Sequence, residues 1–221
     1  SVILQKAFSE DPVRRSRAFK DVPAKHPAAA AINKAYTTGF MSGFSDNTFR
    51  PNTKITKAQT LVYLASGLQL DSPSYADKIL SMYRDANEIP AGTQNGIAAA
   101  TEKELVVNYP KVTYLNPTDE ATRAEVAATV YQALVSQGKL PALTSTSKAT
   151  SYIVKYDAKG QPTASSTTTP STTSTTSLQD VADTYWAKPF IERLVKDNII
   201  DGYSDGTFKP EQPVTRGEFS V

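Results

Sequence analysis

Three short stretches place a threonine, a cation and a carboxylate or amide close together: Thr56-Lys57-Ala58-Gln59, Thr122-Arg123-Ala124-Glu125 and Thr215-Arg216-Gly217-Glu218. A Thr followed three residues later by Glu or Gln is a capping box. The hydroxyl accepts from the third helical N–H, and the longer side chain reaches back to the N-cap N–H. That pattern explains Thr56, Gln59, Thr122, Glu125, Thr215 and Glu218 as structural caps. It does not explain the cation, because a positive charge in a first helical turn opposes the helix dipole. An anion bound there would meet both a guanidinium fork and a helix N-terminus. Arg123 and Arg216 are therefore candidate anion-binding residues, the alternative being a salt bridge to an aspartate of a neighbouring segment. Lys57 lacks the planar fork, which predicts a weaker site. Trp186 is the single tryptophan. It would either stack on a sugar face or anchor a core at a helix start.

Other chemistries are poorly supplied. The 221 residues contain no cysteine, which excludes disulfides, thiolate metal sites and cysteine nucleophiles. With His26 the single histidine, no multi-histidine metal site exists, and a Ser-His-Asp triad has one possible base. We read His26 as a surface or capping residue. Asp46 and Asp205 each offer one carboxylate in a turn, too few oxygens for calcium, and turn formation accounts for them. The Arg14-Arg15-Arg17 group reads as a solvated connection. No catalytic residues, metal or cofactor are expected. The net charge of +2, from 24 basic and 22 acidic residues, argues against a dedicated nucleic-acid binder. No apolar run approaches the ~20 residues of a membrane span.

The elements that position these residues repeat. Shifting the chain by 159 residues lays Asp21-Val22 on Asp180-Val181 and Gly43-Phe44-Ser45-Asp46 on Gly202-Tyr203-Ser204-Asp205. The same shift lays Thr56 on Thr215. A looser middle copy runs from Asp85 through Ile97 and Leu115-Asn116-Pro117 to Thr122. The Asp-to-Thr distance is 35 residues in the outer copies and 37 in the middle one. Each copy has an apolar stretch of helical period (Ala28, Ala31, Ile32, Ala35, Tyr36), a turn-rich middle, and a second helix opened by its capping box. The expected fold class is all-α, with short extended connections.

Thirteen of the fifteen residues in 163–177 are Ser or Thr, which predicts a disordered linker open to O-glycosylation. Just before it, Ser151-Tyr152-Ile153-Val154-Lys155-Tyr156 reads as an isolated extended segment. The expected organisation is a helix tail and connection over 1–18 and repeats over 19–75 and 76–141. A linker over 142–177 and a third repeat over 178–221, its second helix cut short, complete it.

The pattern carried by Phe19-Lys20-Asp21-Val22, Tyr185-Trp186-Ala187, Gly202-Tyr203-Ser204-Asp205-Gly206-Thr207-Phe208-Lys209-Pro210 and Thr215-Arg216-Gly217-Glu218 resembles the S-layer homology repeat. The middle copy, with Ile97-Ala98-Ala99-Ala100 and Val106-Val107-Asn108-Tyr109-Pro110, is most similar to those of cyanobacterial surface proteins. The resemblance implies three helix-loop-helix repeats in a pseudo-threefold bundle. It implies non-covalent attachment to a peptidoglycan-linked wall polysaccharide, often pyruvylated, at the bacterial cell surface. It places ligand grooves between neighbouring repeats. Carried over by motif, the binding residues are Arg123, Arg216, Trp186, Gly43 and Gly202, with Asp21, Asp85 and Asp180 nearby and Lys57 as the lysine variant. The first copy departs with Lys57, Gln59 and Pro27, and the middle copy lacks both the Trp and the glycine turn. One or two working grooves are expected.

The ends supply a second expectation. Overlapping Ser220-Val221 with Ser1-Val2 gives a helix matching Thr122 to Leu134, in which Leu4 falls on Val130 and Leu64, and Phe8 on Leu134 and Leu68. Residues 1–8 would then complete the helix begun at Thr215. On that basis the alternative function is an architectural unit joined head to tail with other copies in an extracellular filament or lattice.

Overall fold

The computed structural model describes residues 3–156 and 178–221; the Ser/Thr-rich stretch lies outside the described residues. Eight α-helices follow one another among them: α1 (Leu4–Ala7), α2 (Ala29–Thr37), α3 (Lys57–Gly67), α4 (Ala76–Leu80), α5 (Gln94–Glu102), α6 (Arg123–Ser136), α7 (Lys188–Lys196) and α8 (Arg216–Ser220). The all-α class expected from the repeats is the class observed. Among the described residues extended pairing is confined to isolated bridges.

The three capping boxes form as written. Thr56, Thr122 and Thr215 sit in extended backbone, and each hydroxyl accepts from the N–H of Gln59, Glu125 or Glu218. The residues just before them build the pseudo-threefold centre. Ile55 N–H donates to Val214 C=O, Val214 N–H to Ala121 C=O, and Ala121 N–H to Ile55 C=O, each at 2.9 Å. All three side chains are buried. A closed triangle of backbone hydrogen bonds thus takes one residue from each repeat, so no repeat completes its own centre.

Each second helix packs on the first helix of the next repeat: α3 on α5, and α6 on α7. The third such contact closes the ring, because α8 packs on α2. It does so with help. Helix α1 lies against both α8 and α2, and Ile3, Leu4, Ala7 and Phe8 are buried there. Phe8 meets Phe40 at 5.2 Å, and Lys6 pairs with Asp201 at 2.9 Å. The apolar stripe that the register argument assigned to residues 3–8 is therefore used within one chain, completing the place of α8.

The extended segment expected at 151–156 is shorter than its sequence suggests. Lys148–Tyr152 winds into a 3-10 helix, and pairing begins only as the chain leaves it. Asn108 N–H donates to Tyr152 C=O and Val154 N–H to Val106 C=O, both at 2.8 Å. Thr150 and Ser151 hydroxyls bonded to carbonyls three residues back favour the tight turn over an extended ladder.

Candidate functional site

The three aspartates that open the repeats share one geometry. Asp21 accepts from the N–H groups of Phe49 and Arg50 at 2.8 and 2.6 Å, and Asp180 from those of Phe208 and Lys209, both at 2.7 Å. Asp85 accepts from Leu115 and Asn116 at 3.0 and 2.7 Å. Each carboxylate clamps a loop whose second residue has left-handed backbone, with φ of 59°, 49° and 56° at Arg50, Asn116 and Lys209. A non-glycine residue held there needs such support.

The loop so clamped receives the cation of the preceding repeat. Arg216 donates from Nε to Phe49 C=O at 2.8 Å, from one terminal nitrogen to Ser42 C=O at 2.7 Å, and from the other to the Tyr63 hydroxyl. Arg123 repeats this on Phe208 C=O at 2.7 Å and Asp201 C=O at 3.0 Å. Both guanidiniums lie over aromatic rings, Arg216 at 4.5 Å from Phe49 and Arg123 at 4.5 Å from Phe208. Both side chains are buried, and that desolvation lowers their pKa. Among the described residues their hydrogen-bond partners are carbonyls and a hydroxyl, and neither forms a salt bridge to an aspartate, so the alternative salt bridge is not what forms.

The helix N-termini beside them are occupied as well. The Arg123 and Ala124 N–H groups donate to Gln212 and Pro210 carbonyls, those of Arg216 and Gly217 to Thr53 and Pro51, and those of Lys57 and Ala58 to Asp119 and Pro117. The fork and N-terminus that were expected to face an anion therefore join one repeat to the next. Lys57 follows a different path, pairing with Glu125 at 3.0 Å while buried. A cavity of about 20 Å³ lies beside it, against Leu115 and Asn108.

Gly43 and Gly202 serve packing. A Cβ on Gly43 would stand 2.1 Å from the Phe19 ring, and one on Gly202 would stand 2.9 Å from Thr207 C=O. Asp46 and Asp205 close turns, each accepting from a Thr two residues on, at 2.6 Å from the hydroxyl and 3.0 Å from the N–H. His26 Nδ1 accepts from Ala28 N–H at 3.1 Å, a local contact in the turn before α2, which has no side-chain cap. Arg14 is less solvated than its sequence suggests: it donates to the Tyr36 and Met41 carbonyls and lies over the Tyr36 ring. Among the described residues no group of three metal-ligating side chains converges.

Trp186 stands apart from this interior. It sits just before the N-cap of α7, half-buried, with its indole stacked on Tyr109 at 5.2 Å and 5°. Tyr152 meets it edge-on at 6.3 Å, and Phe190 at 6.5 Å. Together with Tyr185, this aromatic wall borders a groove of about 420 Å³ between the second and third repeats. Thr122, Glu125, Ala182, Thr184 and Glu211 line the rest of it. The Tyr185 hydroxyl donates to Glu211 at 2.5 Å, and burial together with that carboxylate raises the phenol's pKa. In the first repeat the positions in register with Tyr185, Trp186 and Glu211 are His26, Pro27 and Asn52, so no such wall recurs there.

The sequence reading did not single out Tyr109 and Glu211 as site residues. Glu211 follows the repeat motif by one residue and carries no pattern of its own. Tyr109 belongs to the divergent middle repeat, whose two extra residues between Asp85 and Thr122 were the available signal.

The S-layer homology domain model matches residues 18–61, 83–127 and 178–220. The chain is 28% identical over 179 residues to a cellulosome-anchoring protein of Acetivibrio thermocellus, covering 81% of this chain and 33% of that protein. It is 31% identical over 198 residues to cell surface glycoprotein 1 of the same organism, covering 90% of this chain and 7% of the glycoprotein. A stretch of 44 residues, 20% of the chain, is 48% identical to the outer membrane protein SlpA of Deinococcus radiodurans, covering 4% of that protein. The chain thus spans a third or less of the length of these relatives.

Proposed function

Since the chain belongs to the S-layer homology family, we propose that it is a non-catalytic module anchoring a surface layer, sheath or fibre to wall polysaccharide. The polysaccharide is linked to peptidoglycan at the bacterial cell surface. The observation that carries this reading is the groove between the second and third repeats, where Trp186, Tyr109 and Tyr185 form a wall suited to sugar faces. Relatives named for anchoring and for the cell surface support the location.

A pyruvyl ketal, implied by the family resemblance, would bring a carboxylate. Arg123, Arg216 or Lys57 would have to turn from their present partners to meet it. The groove as it stands meets a polysaccharide through its aromatic wall. Co-sedimentation with purified sacculi tests the reading. The chain should pellet with walls that keep their polysaccharide and remain in solution with stripped walls. Trp186→Ala, folded by circular dichroism, should lose most of this binding. A folded variant that pellets like the parent overturns the assignment of the groove.

The seam between α1 and α8 favours a second reading. A single chain fills that place with its own residues 3–8. Copies that exchange this segment would join head to tail as architectural units in a filament. Light scattering at rising concentration decides it: a constant monomer mass removes the filament, whereas growth that Leu4→Asp abolishes supports it.

A further inference from the structure

We propose that the groove between the second and third repeats selects a saccharide bearing a protonated amine, a de-N-acetylated hexosamine, over one bearing a carboxylate. The inference rests on the reading of this groove as the polysaccharide site.

Its lining carries two carboxylates, Glu125 and Glu211, and no basic side chain. The two differ in availability. Glu125 is engaged by Lys57 at 3.0 Å and by Thr122 N–H at 2.9 Å. Glu211 is exposed, and the Tyr185 hydroxyl donates to one of its oxygens, which orients the carboxylate toward the groove's aromatic wall. Trp186 and Tyr109, the latter 44% exposed, line the same groove. A ring face and a carboxylate on the same cavity form the usual pair of partners for an ammonium group, one by cation–π attraction and one by charge. A sugar carboxylate placed there would meet Glu211 with no cation on the lining to offset the repulsion. The nearest guanidinium in the motif, Arg123, is buried on Phe208 and Asp201 carbonyls. The chain as a whole carries +2, so attraction of an amino sugar must be local to this groove.

The test is calorimetric titration of the whole chain with three saccharide probes and one peptide. The saccharides are a chitosan tetramer with its amines protonated, fully N-acetylated chitotetraose, and a methyl mannoside 4,6-pyruvate ketal. The peptide is an acetylated lysine dipeptide, which separates an ammonium on glycan from one on a peptide stem. The chitosan tetramer should bind about tenfold more tightly than chitotetraose, with the ketal weaker than both. Glu211→Gln keeps an acceptor for Tyr185 and should abolish that preference, while Glu88→Gln, an equal charge change at an exposed residue of the second repeat that does not line the groove, should leave it intact. Tighter binding of the ketal, an unchanged preference in Glu211→Gln, or a lysine dipeptide equal to the tetramer overturns the inference. Sedimentation with decorated sacculi separates the outcomes. A chain that pellets yet prefers chitotetraose or the ketal keeps the anchoring role and loses the amine selectivity. A chain that neither pellets nor binds any probe loses both.

Discussion

The junction between the second and third repeats and the junction between the first and second share a backbone and differ in side chains. In both, the N-cap threonine sits beside the central hydrogen-bond triangle, and the first helical N–H groups donate to the neighbouring loop. At the former, Arg123 reaches the Phe208 and Asp201 carbonyls, and Trp186 with Tyr109 walls a groove. At the latter, Lys57 turns to Glu125 beside a cavity of about 20 Å³. The difference separates two tasks that the motif combines in sequence. The cation closes the ring of repeats, and the aromatic residues next to it wall a groove at one junction, the surface proposed for the polysaccharide.

The largest expected effect breaks the closure. Arg216→Ala and Arg123→Ala should each cost about 3 kcal/mol of stability, because buried carbonyls lose a charged donor. Lys57→Ala should cost less, about 2 kcal/mol, since one charged contact is lost and Glu125 stays partly exposed and keeps its Thr122 bonds. Urea denaturation of the three variants checks the order, and equal losses would erase the distinction between the junctions. Next comes the ligand surface. Trp186→Ala should weaken polysaccharide binding about tenfold, whereas Pro27→Ala at the corresponding place of the first repeat should leave it unchanged. Parallel sedimentation with decorated walls measures both.

Lys57→Arg should make the weaker junction resemble the others. Leu115 is the counterpart of Phe49 and Phe208, and an arginine reaching its carbonyl while filling the void should add about 1 kcal/mol. No gain in the denaturation midpoint would mean that the cavity walls, rather than the lysine, set the packing there.

The smallest effect concerns the turns that the middle repeat lacks. The Thr48 hydroxyl, and then Arg50, hold Asp46 at about 2, below its ordinary 3.8. Thr207 likewise lowers Asp205. A depressed carboxylate contributes stability above its ordinary pKa and loses it as the pH falls through the lowered value. Asp46→Asn should therefore give a slightly flatter acid-unfolding curve between pH 3.8 and about 2. An unchanged curve would leave this turn without a role in acid stability.

The sequence by itself determined the repeats, the helical class, the three capping boxes and the phase of residues 3–8. All of these rest on local spacing. A Thr and the Glu three residues later lie within one turn, and an apolar stripe keeps its period whatever it packs on. Partners beyond the repeat had to come from the fold. Arg123 and Arg216 carried an unexplained charge in sequence, which pointed outward to an anion. The tertiary structure turned that charge inward, because the next repeat presents carbonyls from a loop some 85 residues away for Arg123 and 167 for Arg216. The same distance hid Tyr109 and Glu211, which come together at one junction and are unremarkable in either repeat alone. Local geometry is written along the chain, whereas the neighbours that decide what a buried cation or an exposed ring can do are supplied only when the ring of repeats closes.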